Sequence, residues 1–435
     1  MNKQFIFIFF LPLFFQTTAQ HSSSFQASLD QQVSKLEPQL IQWRRKFHQN
    51  PELSNHEKQT GAFIADYLKL LGMEVTYPLA KTGVVGLLKT GKPGPVVALR
   101  ADMDALPLTE HNSLPFISKE KALLNGQETG VMHACGHDAH MAILMTVAKI
   151  LSENKKELKG TVKFIFQPAE EGVSADEGTA GAELMVKEGV LENPKVNAIF
   201  GLHIQSLLPS GTLNYRSGSL MAAVDGFDIK VIGKGAHGAT PWDGVDPVVI
   251  SSEIVTGLQT IVSRQSELTK ASAVITVGSL HAGVRRNIIP DEAIMQGTIR
   301  TFDTAMQRKI HQKIKLTATK IAEASGAAAE VTISKGYPPT VNDPALTIQA
   351  AKSLVKTVGS GRVNVIDAVT MAEDFSFYQQ KVPGFFFFLG AYPEAMNPQR
   401  KPTHHTVDFL LDENSFKVGV SALLNLTLDY LSASK

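Results

Sequence analysis

Four apolar runs in the chain are continuous rather than alternating, with Lys163 the one charge inside them, and each is followed by residues with side-chain chemistry. Val96 to Leu99 leads into Arg100, Asp102 and Asp104. Val162 to Phe166 leads through Gln167, Pro168 and Ala169 into Glu170 and Glu171. Ala198 to Leu202 leads into His203, and Phe385 to Leu389 precedes His404 and His405. Continuous runs of this length predict strands covered on both faces, as in the sheet of an α/β protein. Ligands of such sheets bind beyond the carboxyl ends of the strands, so the four clusters are expected to face one crevice.

From Ala222 to Gly336 the pattern changes. "GFDIKVIGKGAHG" alternates as a half-exposed strand does, and "DPVVISSEIVTGLQTIVSR" has helical apolar spacing. "SAVITVGSL" and "EAIMQGTIRTF" read as strands, "AMQRKIHQKIKLTATKIAEAS" as an amphipathic helix and "AAAEVTISKG" as a last strand. The order β-α-β-β-α-β is ferredoxin-like. The fold class expected is therefore α/β: a larger catalytic domain with a central mixed sheet (residues 20–221 and 337–435) and an inserted α+β domain (residues 222–336). A chain of 435 residues is long enough to need two cores.

The chain opens with Lys3, an apolar run from Phe5 to Phe15 and the small-residue stretch Thr17-Thr18-Ala19. That layout predicts a secretory signal over residues 1–19, cleaved after Ala19. The run is shorter than the ~20 residues a membrane-spanning helix needs. Export to a bacterial periplasm follows as the expected location, with no membrane attachment after cleavage. Lys plus Arg is 42 against Asp plus Glu 41, a net charge of +1, which gives no electrostatic footing for nucleic acid.

Within "GVMHACGHDAHMA" stands Cys135, the only cysteine of the chain, between His133 and His137. It has no disulfide partner in the sequence, so it serves packing, reactivity or metal ligation. Thiolate and imidazole two residues apart suit zinc or another first-row metal, and a nucleophilic Cys/His pair is the rival reading. The adjacent Glu170 and Glu171 can divide the work of base and ligand from one turn. Asp102 and Asp104 suit the task of orienting metal ligands.

The motifs "WRRKFHQNPELSNHE", "RADMDALP", "HACGHDAH", "FQPAEEG", "GLHI", "KGAHGATPWDGVDP", "RRNIIPDEA" and "HHTVDFLLDE" occur in this order from Trp43 to Glu413. In them the chain resembles the co-catalytic metallopeptidase family of aminoacylases and carboxypeptidases. Within that family it is similar to the amidohydrolase branch of hippurate hydrolases and auxin-conjugate amidohydrolases. The resemblance implies two divalent metal ions, zinc, manganese or similar, held by Cys135, His137, Glu171, His203 and His405, with Glu170 as general base. His405 is preferred to His404 because Phe409 and Glu413 follow it at the family's spacing. The resemblance also implies His237 of the inserted domain as oxyanion stabiliser, in some relatives supplied by the partner subunit of a homodimer formed through that domain. Asn287 and Arg300 are candidates for holding the substrate's backbone or carboxylate. The activity expected is hydrolysis of an N-acyl amino acid or related small amide. The alternatives are a carboxypeptidase or dipeptidase acting on short peptides, and a silent metal or amino-acid binding protein.

Overall fold

In the computed structural model, residues 14–124, 126–173, 177–393 and 403–433 are described, with side chains from Ser24 onward. Most of the stretch read as an export signal therefore lies outside the described residues.

The four apolar runs are consecutive neighbours at the centre of an eight-stranded mixed sheet, in the order Thr161–Gln167, Val96–Asp102, Ala198–Pro209, Gly384–Tyr392. All three of these pairings are parallel. Antiparallel Gly83–Lys89 and Glu74–Leu79 extend one edge, and Leu213–Tyr215 with Val363–Val365 the other. Register keeps the functional ends level: Asp102 is opposite Gln167, Arg100 opposite Gly201, and Phe388 opposite His203.

The continuous apolar spelling is explained by cover on both faces. Phe385 to Leu389 alternate between two apolar clusters, Phe385, Phe387 and Leu389 in one and Phe386 and Phe388 in the other. Each such side chain, fully buried, stabilises by roughly 1.5–3 kcal/mol. Helices Phe14–Gln49, His137–Glu153 and Phe416–Ala433 pack together on one face, and His137–Glu153 is buried nearly all round. Lys163 interrupts its run without leaving the core. Its ammonium donates to the carbonyls of Val190, Glu192 and Pro194 at 2.7, 2.7 and 3.0 Å, and burial lowers its pKa to about 8. Among the described residues no helix is long and apolar enough to cross a membrane.

A second, four-stranded antiparallel sheet runs in the order Ala273–Ala282, Glu292–Thr301, Ala223–Ile232, Ala328–Lys335. Helices Pro247–Gln265 and Thr304–Ala324 cover one face of it and make a separate core with Phe227, Ile229 and Met295. Both helices begin as their sequences specify. Asp246 and Asp303 accept the backbone N–H of Val248 and Met306, and proline occupies the first turn after Asp246. This is the ferredoxin-like order anticipated from the pattern.

Candidate metal centre

Residues Cys135 and His137 lie at the turn that opens the central helix, held by a glycine no other residue could replace. Gly136 has φ +98°, and a Cβ there would stand 2.4 Å from Ile204 Cγ2. The bend sets Cys135 Sγ 3.3 Å from His203 Nε2 on the neighbouring strand. From the carboxyl-terminal segment, His405 Nε2 comes within 3.4 Å of Cys135 Sγ and 3.2 Å of Glu171 Oε1. His137 Nε2 lies 3.9 Å from the same Glu171 oxygen.

The histidines present lone pairs to one another because their other nitrogens are engaged. His137 Nδ1 faces the Asp104 carbonyl at 2.9 Å and Asp104 Oδ1 at 3.2 Å. His203 Nδ1 contacts the Ile204 carbonyl at 2.7 Å. His137 Nε2 is buried without a hydrogen-bond partner. Orphaned buried polar atoms call for a ligand, and S, N and O donors in this mixture suit a divalent first-row ion. Cys135, His137 and Glu171 bring ligand atoms within 4.8 Å of one another, as do Cys135, His203 and His404. His404 spends its Nε2 on the Ser206 backbone N–H at 3.2 Å, whereas His405 points Nε2 at the thiol and the carboxylate.

Electrostatics agree with a cation. Burial, then Glu171 and Glu170, pushes the Cys135 thiol well above its usual range. Burial opposes charge on His137 too, yet Asp102 and Asp104 raise its pKa to about 10. The surroundings thus favour positive charge at the centre. Burial, then His140 and His404, keeps His203 neutral by lowering it well below the imidazole value.

Glu170 borders the same histidine, its Oε2 3.9 Å from His137 Nε2, but groups with other carboxylates. It is buried, groups with Glu373 and Asp374, and has its backbone carbonyl held by Tyr337 Oη at 2.5 Å. Burial, then Glu373, Glu171 and Asp374, pushes its carboxyl well up, against the pull of Arg100. Arg100 is the counter-charge for the whole acidic wall, meeting Asp102 at 2.7 Å, Asp374 at 2.8 Å and Glu373 at 2.9 Å. A cavity of about 310 Å³ joins Glu170, Glu171, Cys135, His203 and His405 to Arg300, Val224 and Met371.

The structure therefore gathers Asp102, Asp104, Cys135, His137, Glu170, Glu171, His203 and His405 at one place, with Arg300 across the cavity. It does not bring His237 or Asn287 there. These two stand exposed on a small ribbon of the inserted domain, where Gly238 N–H donates to the Asn287 carbonyl at 2.9 Å. Sequence reasoning overlooked Glu373, Asp374 and His140. His140 accepts the Ile204 N–H at 2.8 Å through Nε2 and meets Asp102 at 2.6 Å through Nδ1, so neither nitrogen is free. Its signal was available, since it follows His137 by three residues on the same helical face.

The sequence signature of Peptidase family M20/M25/M40 matches residues 98–429. An N-acetyl-L-cysteine deacetylase of Bacillus subtilis is 41% identical over 361 residues, 82% of this chain and 82% of its own. Thermostable carboxypeptidase 2 of Saccharolobus solfataricus is 40% identical over 404 residues, 92% of this chain and 98% of its own. A solved Bacillus subtilis structure, described as a dinuclear metal binding peptidase, superposes with a TM-score of 0.75 at 35% identity, covering 92% of this chain and 99% of that one.

Proposed function

The chain belongs to peptidase family M20/M25/M40 and is a hydrolase, and we propose that it cleaves the amide bond of N-acyl amino acids. The observation that carries this reading is the convergence of five metal-type donors with a further buried carboxylate, Glu170, and an arginine, Arg300, lining the same cavity. Cys135, His137, Glu171, His203 and His405 would hold two divalent ions. Such ions polarise an amide carbonyl and acidify a water.

The chain's own groups supply the rest. Glu170, which groups with Glu373 and Asp374 and whose Oε2 also borders His137 Nε2 at 3.9 Å, takes the water's proton and returns it to the leaving nitrogen. The raised proton affinity of its surroundings suits a group that must hold a proton between two steps. Asp104 holds His137 by its Nδ1 side, and Asp102 holds His140. Arg300, half-buried and in no close ion pair among the described residues, with Asp225 as its acidic neighbour, would receive the α-carboxylate. The inserted segment 222–336 acts as a lid that carries this arginine.

His237 and Asn287, remote from their own cavity, would serve a second copy's site in a homodimer paired through the lid. The exposed Val274 and Leu280 on its edge strand support that pairing. Export to the periplasm is proposed on Lys3, the Phe5 to Phe15 run and Ala19.

The test is a panel of N-acetyl amino acids and dipeptides on the purified protein, with metal quantified in the same sample. Hydrolysis of the acetylated series is expected. Turnover confined to peptides would move the assignment to the carboxypeptidase reading, and bound metal without any hydrolysis would move it to a binding protein.

A further inference from the structure

Glu171 is the wall between two cavities. On one side lies the cavity of the donor cluster, which ends at Arg300. On the other lies a cavity of about 410 Å³ made wholly from the larger domain, in the size range of small-ligand sites, ~300–1,000 Å³. Its apolar side chains are Leu53, Leu106, Pro107, Leu123, Leu124 and Val173. Leu123 and Leu124 sit on the hairpin Lys121–Leu124 and Gln127–Gly130 and are 77% and 42% exposed. Neither is needed for the core, and two adjacent leucines left in water at the rim of a cavity mark a binding surface.

We propose that this second cavity is the acyl subsite and that the protein prefers substrates with a medium-length apolar acyl chain over acetylated ones. The inference rests on the reading of the protein as an N-acyl amino acid hydrolase. Geometry assigns the occupant. The scissile carbonyl must lie between Glu170 and the donors that include Glu171, and a carboxylate held by Arg300 fixes the amino acid half on the lid side. The acyl half then leaves the carbonyl in the opposite direction, past Glu171, into the leucine-lined space. The residues there offer no cation for a carboxylate, apart from the exposed His56 at the rim.

The test uses the metal-loaded full chain and one amino acid acylated with acetyl, butanoyl, hexanoyl and octanoyl groups. We expect kcat/KM to rise about two- to fourfold per added methylene, the scale of burying a CH₂, until the cavity is full. The double variant Leu123→Asp/Leu124→Asp should flatten the series while keeping the parent's metal content. A flat series in the parent, or a rise that persists in the variant, overturns the subsite while leaving the hydrolase reading intact. Absence of hydrolysis throughout, at full metal content, overturns that underlying reading and the subsite with it. If the variant changes only the sedimentation of the protein, the leucines are a protein contact and the subsite is overturned.

Discussion

Replacing each of the adjacent glutamates by glutamine separates base from ligand. Glu170 is 6% exposed and its ligand-type company is Glu373 and Asp374, whereas Glu171 shares the donor group of Cys135 and His137. Glu170→Gln is isosteric and removes one negative charge from a wall where a single guanidinium, Arg100, faces Asp102, Glu373 and Asp374. Fold and metal content are therefore expected to survive. Turnover should fall by about 10² to 10⁴, the worth of a positioned general base, equal to roughly 3–5 kcal/mol of activation free energy. Glu171→Gln removes a charged oxygen that stands 3.2 Å from His405 Nε2 and 3.9 Å from His137 Nε2. Loss of an outer partner of a metal ligand typically weakens affinity by about 10- to 100-fold, and loss of a ligand should weaken it at least as much. Elemental analysis after gel filtration gives the metal content, and kcat at saturating substrate gives the chemistry. If Glu170→Gln sheds its metal while Glu171→Gln keeps it, the two roles must be exchanged, and if both retain metal and turnover the reasoning fails.

Cys135→Ala should lose metal and activity together while keeping the parent's far-ultraviolet circular dichroism; normal metal content would reduce the cysteine to a packing role. Arg300→Met should raise KM for N-acyl amino acids by about 10- to 100-fold with kcat held, the scale of a hydrogen bond to a charged group, and amidated substrates lacking the carboxylate should show no such rise. Asp138→Asn should lower unfolding free energy by about 3 kcal/mol in urea titration, because Asp138 is fully buried 3.0 Å from the Arg44 Nε charge and 2.7 Å from His48 Nδ1; a loss under about 1 kcal/mol would show that Glu413 replaces the missing partner. Expressed in a Gram-negative host, the protein should be recovered from the periplasm beginning at or near Gln20, and N-terminal sequencing that finds Met1 would refute export.

The parts of the site that could be read from sequence are those attached to strong local patterns. A continuous apolar run fixes both a central strand and the face on which its last residues emerge, so Asp102, Glu170, Glu171 and His203 could be placed in one crevice before any coordinates. His405 followed from motif order, whereas the inserted domain followed from the change of periodicity between Ala222 and Gly336. Glu373 and Asp374 could not be found this way. They lie within a stretch, "DAVTMAEDF", with no strand or helix of its own, and Asp374 reaches Arg100 across 274 residues of sequence. Nor does Lys163 look like core, because what keeps it there is three backbone carbonyls from a distant loop. Strand order and the antiparallel edges are likewise set by pairings that local propensity does not encode.

Placement of Arg300 on the wall of the donor cavity fits the proposal that the two domains share one reaction. Arg300 pairs in register with Val224, one residue into the strand by which the chain enters the lid. The next residue, Asp225, is buried and binds two separate elements, the helix Thr304–Ala324 and the segment leaving the lid. Its carboxylate accepts Gln307 Nε2 at 2.8 Å, lies 2.8 Å from His311 Nε2, and accepts the Gly336 N–H at 3.2 Å, where the chain leaves the lid. Both crossing strands and the long lid helix are thus tied to one side chain beside the arginine. Two χ angles of an aspartate cannot position a substrate, but a carboxylate that locks both connections sets the angle at which the lid faces the donor cluster. Misplacement of about 1 Å at a remote contact can cost ~10²-fold in rate, so under the proposed function the buried Asp225 knot would serve the chemistry even though it touches no reacting atom.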